Sequence, residues 1–200
     1  MDTRLRLRQR IAHEVARRLA EYGNQDDPAR VLRRVARDMG VSDPRALPDR
    51  REVEAALAEQ QRLFGPAERE RHLCRLREEA LRAMEALEGF SPRLAGPVLE
   101  GLAGPDSVVE LHLHSDSPDD VALWLAEHAI PAVAGRRHIL LDAHIGIQVP
   151  THAFSAGGVP FLLVVLPLRA RHQSPLDPLG GGTMRRAGIN QVRRLLDPVP

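Results

Sequence analysis

The hydrophobic period changes once along this chain, and that change dictates a two-part fold. Up to Leu87, apolar residues recur every three or four positions; beyond Gly89-Phe90-Ser91-Pro92 they alternate or run on without a break. A period near 3.6 lines one stripe of a helix, and a period of 2 lines one face of a strand. The expected class is therefore α+β: a helical region over residues 1–90, then a small mixed-sheet α/β domain over 91–200.

Four helices are expected in the first half. The first spans Leu5 to Tyr22, with Leu7, Ile11, Val15 and Leu19 as its stripe and Gly23-Asn24 as its stop. The second opens at Asp27-Pro28, an N-cap followed by proline at the first helical position, and presents Val31, Leu32, Val35 and Met39 before Gly40. The third starts near Asp49 and buries Val53, Leu57 and Leu63-Phe64. The fourth runs from Pro66 to Leu87 on Leu73, Leu76, Ala80, Met84 and Leu87.

In the second half Val108 to His114 alternates strictly, V-V-E-L-H-L-H. Ser117 to Asp120 caps a short helix reaching His128. His138 to Asp142 and Ile145 to Val149 are expected strands. Val159 to Leu166 is apolar throughout, as befits a central strand covered on both faces. A last helix is expected within Arg186 to Leu196, after the Gly180-Gly181-Gly182 turn.

Composition removes several chemistries. All 28 basic residues are arginine, so Schiff-base and P-loop lysine mechanisms are excluded. The net charge is +1, with 20 Arg against 17 acids in residues 1–93 and 8 against 10 beyond. Bulk attraction to polyanions is therefore not expected. Cys74 is the sole cysteine, which precludes an internal disulfide and suits a reducing compartment. No apolar run is long enough to span a membrane, and the N-terminal arginines lack the apolar stretch of a secretory signal. The cytoplasm is the expected location.

One segment points to chemistry: Leu94 to Gly101, with Gly96 at a turn, followed by Asp106-Ser107-Val108-Val109-Glu110-Leu111-His112. It resembles the opening of the polymerase-beta-type nucleotidyltransferase fold. That superfamily has a Gly-Ser turn at a helix start, then a strand bearing two acids one residue apart, and a third acid on a later strand. Alternate strand residues share a face, so such carboxylates grip metal ions that clamp a triphosphate and activate a hydroxyl. The resemblance implies catalytic roles for Glu110 and Asp106. It implies nucleotide contacts from Gly96 and Ser107, and Mg2+ held through Glu110. Apart from the resemblance, Gly180-Gly181-Gly182 followed by Arg185 and Arg186 offers amides and guanidiniums to a phosphate, with a flexible hinge before the last helix as the competing reading. The chain departs from the pattern. Pro97 follows Gly96, Val108 stands at one acidic position, and Val159 to Val165 carries no acid. One carboxylate of three holds two hard cations poorly. The expectation is a degenerate transferase fold used to bind a nucleotide, a small anion or a protein partner, with an active metal-dependent nucleotidyltransferase as the alternative.

The chain also resembles a family of uncharacterised bacterial proteins of the same layout. Gly40-Val41-Ser42-Asp43, Gln61-Arg62-Leu63-Phe64, Pro92 to Leu99, Asp116 to Leu125 and Pro175-Leu176-Asp177-Pro178 carry that likeness. It implies the fold and no particular chemistry.

Other patterns compete. Val108, Glu110, His112 and His114 share one strand face, and His138, Leu140, Asp142 and His144 would share another. If those strands were neighbours, Glu110 and the histidines, His112 foremost, would make a transition-metal site; otherwise the pattern is a solvated sheet face. Val35 to Ser42 resembles the start of a helix-turn-helix. Pro44 and Pro48 stretch its turn too far, and the arginines interleave with acids at helical spacing, so specific DNA binding is not expected. Cys74 beside Leu73 is expected to be a small buried filler. No Gly-x-Ser-x-Gly nucleophile elbow occurs.

Overall fold

The computed structural model describes residues 3–21, 28–60, 66–105, 107–117, 119–142, 144–177 and 182–197. Seven helices and six strands are present among them: α1 Thr3–Glu21, α2 Pro28–Asp38, α3 Arg50–Gln60, α4 Pro66–Ala86, β1 Arg93–Ala95, α5 Gly96–Glu100, β2 Val109–His114, α6 Asp120–Glu127, β3 Val133–Leu140, β4 Gly146–Ala156, β5 Val159–Leu166, β6 Arg186–Ala187 and α7 Ile189–Leu196. The fold is α+β with helices at the N-terminus, as the change of period requires. No helix among the described residues is long and apolar enough to cross a membrane.

α1, α2 and α3 close around their own apolar cluster of Ile11, Val15, Val31, Leu32, Val35, Val53 and Ala56, with Leu7 and Leu19 at its margin. These are the stripes read from the sequence. α3 starts on a reciprocal cap: the Asp49 amide donates to Glu52 at 2.8 Å, and the Glu52 amide donates to Asp49 Oδ1 at 3.0 Å. Residues 39–49 join α2 to α3 through a 3-10 turn at Pro44–Ala46, longer than a helix-turn-helix allows. Leu63-Phe64 lies outside the described residues.

α4 buries Leu76, Ala80, Met84 and Leu87 against the sheet, in one core with Leu94, Leu111, Leu113, Phe161, Leu163, Val165 and Val192. Apolar packing thus groups α4 with the sheet, although Gly89 to Pro92 separates them in the chain. Cys74 corrects the expectation for it: its side chain is exposed, because one position from Leu73 is 100° around the helix, off the buried stripe.

The sheet order is β3-β4-β5-β2-β1-β6. Only β2 and β5 run parallel, with Glu110 opposite Leu162 and His112 opposite Val164. β5 is buried on both faces, since Phe161, Leu163 and Val165 face the helices while Leu162, Val164 and Leu166 join Val108, Ile139, Leu141, Val149 and Ala170.

Two local readings change. β3 runs from Val133 to Leu140, and Asp142 beyond it is a turn residue: its Oδ1 accepts from the amides of His144 and Ile145, both at 2.8 Å. An aspartate satisfying two nearby amides favours a turn over a strand. At the C-terminus Arg186-Ala187 pairs with β1 before α7 begins at Ile189.

The second change concerns the polar face of β2. All six residues of β2 are buried, so Glu110, His112 and His114 do not form a solvated face. Two elements cover them. The segment from Pro167 to Asp177 crosses the face and hydrogen-bonds back to β3, with the Leu176 amide donating to the Leu140 carbonyl at 2.7 Å. The β3–β4 hairpin also curls inward. β3 and β2 have two strands between them, which in a flat sheet means about 14 Å. Yet Arg137 of β3 reaches Glu110 of β2 at 3.0 Å. Gly135 pairs with Thr151 in the β3–β4 ladder, where a Cβ would stand 2.9 Å from Thr151 Oγ1.

Candidate functional site

Where the helical cluster meets the curled sheet lies a cavity of about 420 Å³. α1–α3 contribute Leu19, Leu32, Val53 and Leu57; the sheet side contributes Ile139, Leu140, Leu176 and Met184. The volume lies in the usual range for a small-molecule site, roughly 300–1,000 Å³, and the mix of apolar walls with a few charged groups is typical of one. The charged lining is balanced: Arg33, Arg50, Arg137 and Arg185 against Glu54, Glu100, Glu110 and Asp177.

Glu110 is the deepest of these, at 2% exposure. Arg137 Nη1 donates to its Oε2 at 3.0 Å, and His112 Nε2 lies 3.0 Å from its Oε1. A carboxylate only accepts, so His112 carries its proton on Nε2. Burial opposes ionisation of Glu110, but Arg137 and the His112 hydrogen bond outweigh it and hold the carboxyl down at about 2. His112 is wholly buried, and its Nδ1 has no hydrogen-bond partner among the described residues.

Arg50, on α3, ties the helical unit to the sheet unit. It pairs with Glu54 on its own helix, with Glu100 at the end of α5, and with Asp177 in the crossing segment. Glu100 and Asp177 are largely buried, at 11% and 7% side-chain exposure. Arg185 lines the same cavity and makes no hydrogen bond or ion pair among the described residues.

The residues expected from the sequence divide three ways. Glu110, Gly96 and Arg185 meet at the cavity. Gly96 stands at the first position of α5 with φ 72°, and Pro97 follows it without an N–H, so the turn offers an anion fewer amides than the family pattern. Ser107 and Arg186 lie elsewhere. Ser107 Oγ accepts from the Gly104 amide at 2.8 Å in a local turn, and Arg186 points to His114. Asp106 lies outside the described residues, as does Gly180-Gly181. His112 touches Glu110 but does not line the cavity.

The metal reading through paired histidine strands is corrected. β4 and β5 stand between β3 and β2, and His144 sits in the β3–β4 turn, so His138 and His144 do not share a row with His112. Among the described residues no group of three or more His, Cys, Asp or Glu is arranged to hold a metal ion. Val108 sits in the apolar cluster and Leu162 faces Glu110 from β5. Glu110 is thus the lone carboxylate at the positions the resemblance assigns to metal-holding acids among the described residues.

Arg137, Arg50, Glu100 and Asp177 were not anticipated. Arg137 had a signal: extending the β3 alternation back from Ile139 places it on the inward face. The others come together only in three dimensions. The sequence matches no protein-family model, and no curated protein matches it.

Proposed function

We propose that the protein is a nucleotidyltransferase-like domain without catalysis, which binds a small phosphate-bearing molecule, a nucleotide first among them, in the cavity between α1–α3 and the sheet. One observation carries this reading: Glu110 faces the cavity with both carboxylate oxygens taken, by Arg137 and by His112. A carboxylate so engaged is a poor ligand for Mg2+, because a metal would have to displace the buried Arg137 and His112 contacts from its oxygens. What remains at the cavity suits binding. Apolar walls accommodate a base, and the unpaired Arg185 is placed to meet a phosphate. The lining balances four arginines, Arg185 included, against four acids, so recognition rests on shape and on Arg185 rather than on bulk charge.

The test separates binding from turnover. Calorimetric titration with nucleoside triphosphates should give saturable binding that does not need Mg2+, and Arg185→Gln should weaken it about tenfold, the worth of one charge-assisted contact. Incubation with labelled triphosphates, Mg2+ or Mn2+ and a mixed acceptor pool should transfer no label. Transfer that disappears in Glu110→Gln would instead establish the active enzyme.

A further inference from the structure

We propose that Arg93 and Arg186, at the β1–β6 edge beside the start of α7, form a second site, for a small oxyanion such as phosphate. The site is independent of the cavity and of its proposed ligand.

The backbone brings the two arginines together. β1 pairs antiparallel with β6, Ala95 opposite Arg186 and Leu94 opposite Ala187, so residues 93, 95 and 186 share one face of the sheet. The Arg93 guanidinium lies over Gly188, where a Cβ would meet Nη1 at 2.3 Å; only glycine leaves it that seat. Both side chains are half-buried.

Neither has a counter-charge among the described residues. Arg186 donates to Ser174 Oγ at 3.1 Å and to the Ala170 carbonyl at 3.0 Å, and its Nη1 lies 3.2 Å from His114 Nε2. All three partners are neutral: His114 Nδ1 faces the Ser91 carbonyl at 2.9 Å, and burial holds the ring's pKa down at about 4. Arg93 makes no hydrogen bond or ion pair among the described residues. Burial lowers the Arg186 pKa to about 10, with the charge of Arg93 adding to the effect and no carboxylate opposing it. Other arginines of this chain are paired with acids, as in Arg8–Glu52, Arg18–Asp38, Arg50–Asp177, Arg82–Glu79 and Arg193–Glu85.

Two like charges held together away from bulk water are unfavourable until an anion joins them. The planar guanidinium fork matches an oxyanion in two hydrogen bonds. The neighbouring helix end adds to the field. Gly188 is the N-cap of α7, and a glycine has no side-chain oxygen to serve the first-turn amides.

The full chain is titrated with inorganic phosphate at constant ionic strength set by chloride. Melting temperature and the arginine Nε–H NMR signals are followed. Saturable stabilisation is expected, with the Arg93 signal shifting. Arg93→Gln should weaken phosphate at least tenfold while melting normally in chloride alone, and Arg93→Lys should fall between. Arg185→Gln, at the cavity, should leave this phosphate affinity within twofold. The proposal is overturned if Arg93→Gln titrates like the wild type, if matched chloride stabilises equally, or if Arg185→Gln alone abolishes the response.

Discussion

Two arginine clusters share the polar side of one sheet, and they are built on opposite terms. At the cavity, Arg137 meets Glu110, and Arg50 meets Glu54, Glu100 and Asp177. At the β1–β6 edge, Arg93 acts on Arg186 through its charge, and neither pairs with an acid among the described residues. A matched guanidinium is a structural part: it fixes the curl of a hairpin or the seat of a helical unit, and its loss exposes a partner. An unmatched guanidinium contributes little to the fold and remains open to a ligand. The comparison therefore predicts opposite mutational behaviour for the same residue type.

The largest effect belongs to Glu110. Glu110→Leu removes the carboxylate that pairs with Arg137, which is 8% exposed, and breaking a buried pair from one side typically costs about 3–5 kcal/mol. Urea unfolding of this variant should show that loss. The double change Glu110→Leu with Arg137→Met should recover most of it, since both members of the buried pair are then apolar; equal loss in both would mean that the pair does not govern stability here. The same pair sets an acid limit. Folding lowers the Glu110 pKa from its ordinary value of 4.5 to about 2, so its contribution is full above the unfolded value and is lost as pH drops toward about 2. His114 acts at higher pH. Its pKa falls from 6.5 to about 4, so the unfolded chain binds the extra proton first and stability declines between those values. His114→Phe should flatten that upper window and leave the lower one.

The next effect is at the unmatched edge, and it falls on one arginine only. Arg186→Gln leaves Ser174 Oγ, the Ala170 carbonyl and His114 Nε2 without their donor. Unsatisfied buried polar groups of this kind cost about 2 kcal/mol, measurable by the same unfolding experiment. A loss below about 0.5 kcal/mol, the range of ordinary surface changes, would show that Arg186 does not hold the crossing segment.

Much of the frame was legible in the sequence, because periodicity reports burial directly. Ile11 and Val15 are wholly buried on α1, and Val159–Leu166 is a two-sided central strand. The polar groups were less legible. Alternation showed that Glu110, His112 and His114 share a face but not that the face is covered, because the cover comes from residues 167–177, more than fifty positions away. Arg137 reaches Glu110 only because the sheet curls, and curl is a property of several strands together. Asp142 reads as a strand residue by alternation and acts as a turn residue by hydrogen bonding. Of the expected site residues, those at the cavity are joined by chain segments from both halves, a juxtaposition no local pattern encodes.

Arg50→Gln tests the matched cluster where it joins the two units. The change leaves Glu54, Glu100 and Asp177 facing one another. Arg50 is 23% exposed, so screening reduces the cost to about 1 kcal/mol. Its signature is salt dependence: the deficit should shrink between low salt and 1 M, where the Debye length is about 3 Å. A deficit independent of salt would assign Arg50 to packing instead. Exposed Cys74 on α4, paired with Arg34→Cys on α2, gives two labelling points across the units, and their measured distance should broaden in Arg50→Gln.

The smallest effect is the one that defines the comparison. Arg93→Gln removes a full charge from a half-buried side chain, yet no hydrogen bond or ion pair among the described residues is lost with it. The repulsion on Arg186 is also relieved. In phosphate-free buffer the unfolding free energy should change by less than about 0.5 kcal/mol, and any change should be toward greater stability. Relief of repulsion is screened, so the gain should be largest at low ionic strength. In saturating phosphate the order should reverse, because the wild type gains binding free energy that the variant lacks. The crossing of the two stability curves with phosphate concentration is the measurement. If Arg93→Gln is destabilising at every phosphate concentration, Arg93 is a structural arginine like Arg50, and the contrast between the two clusters fails.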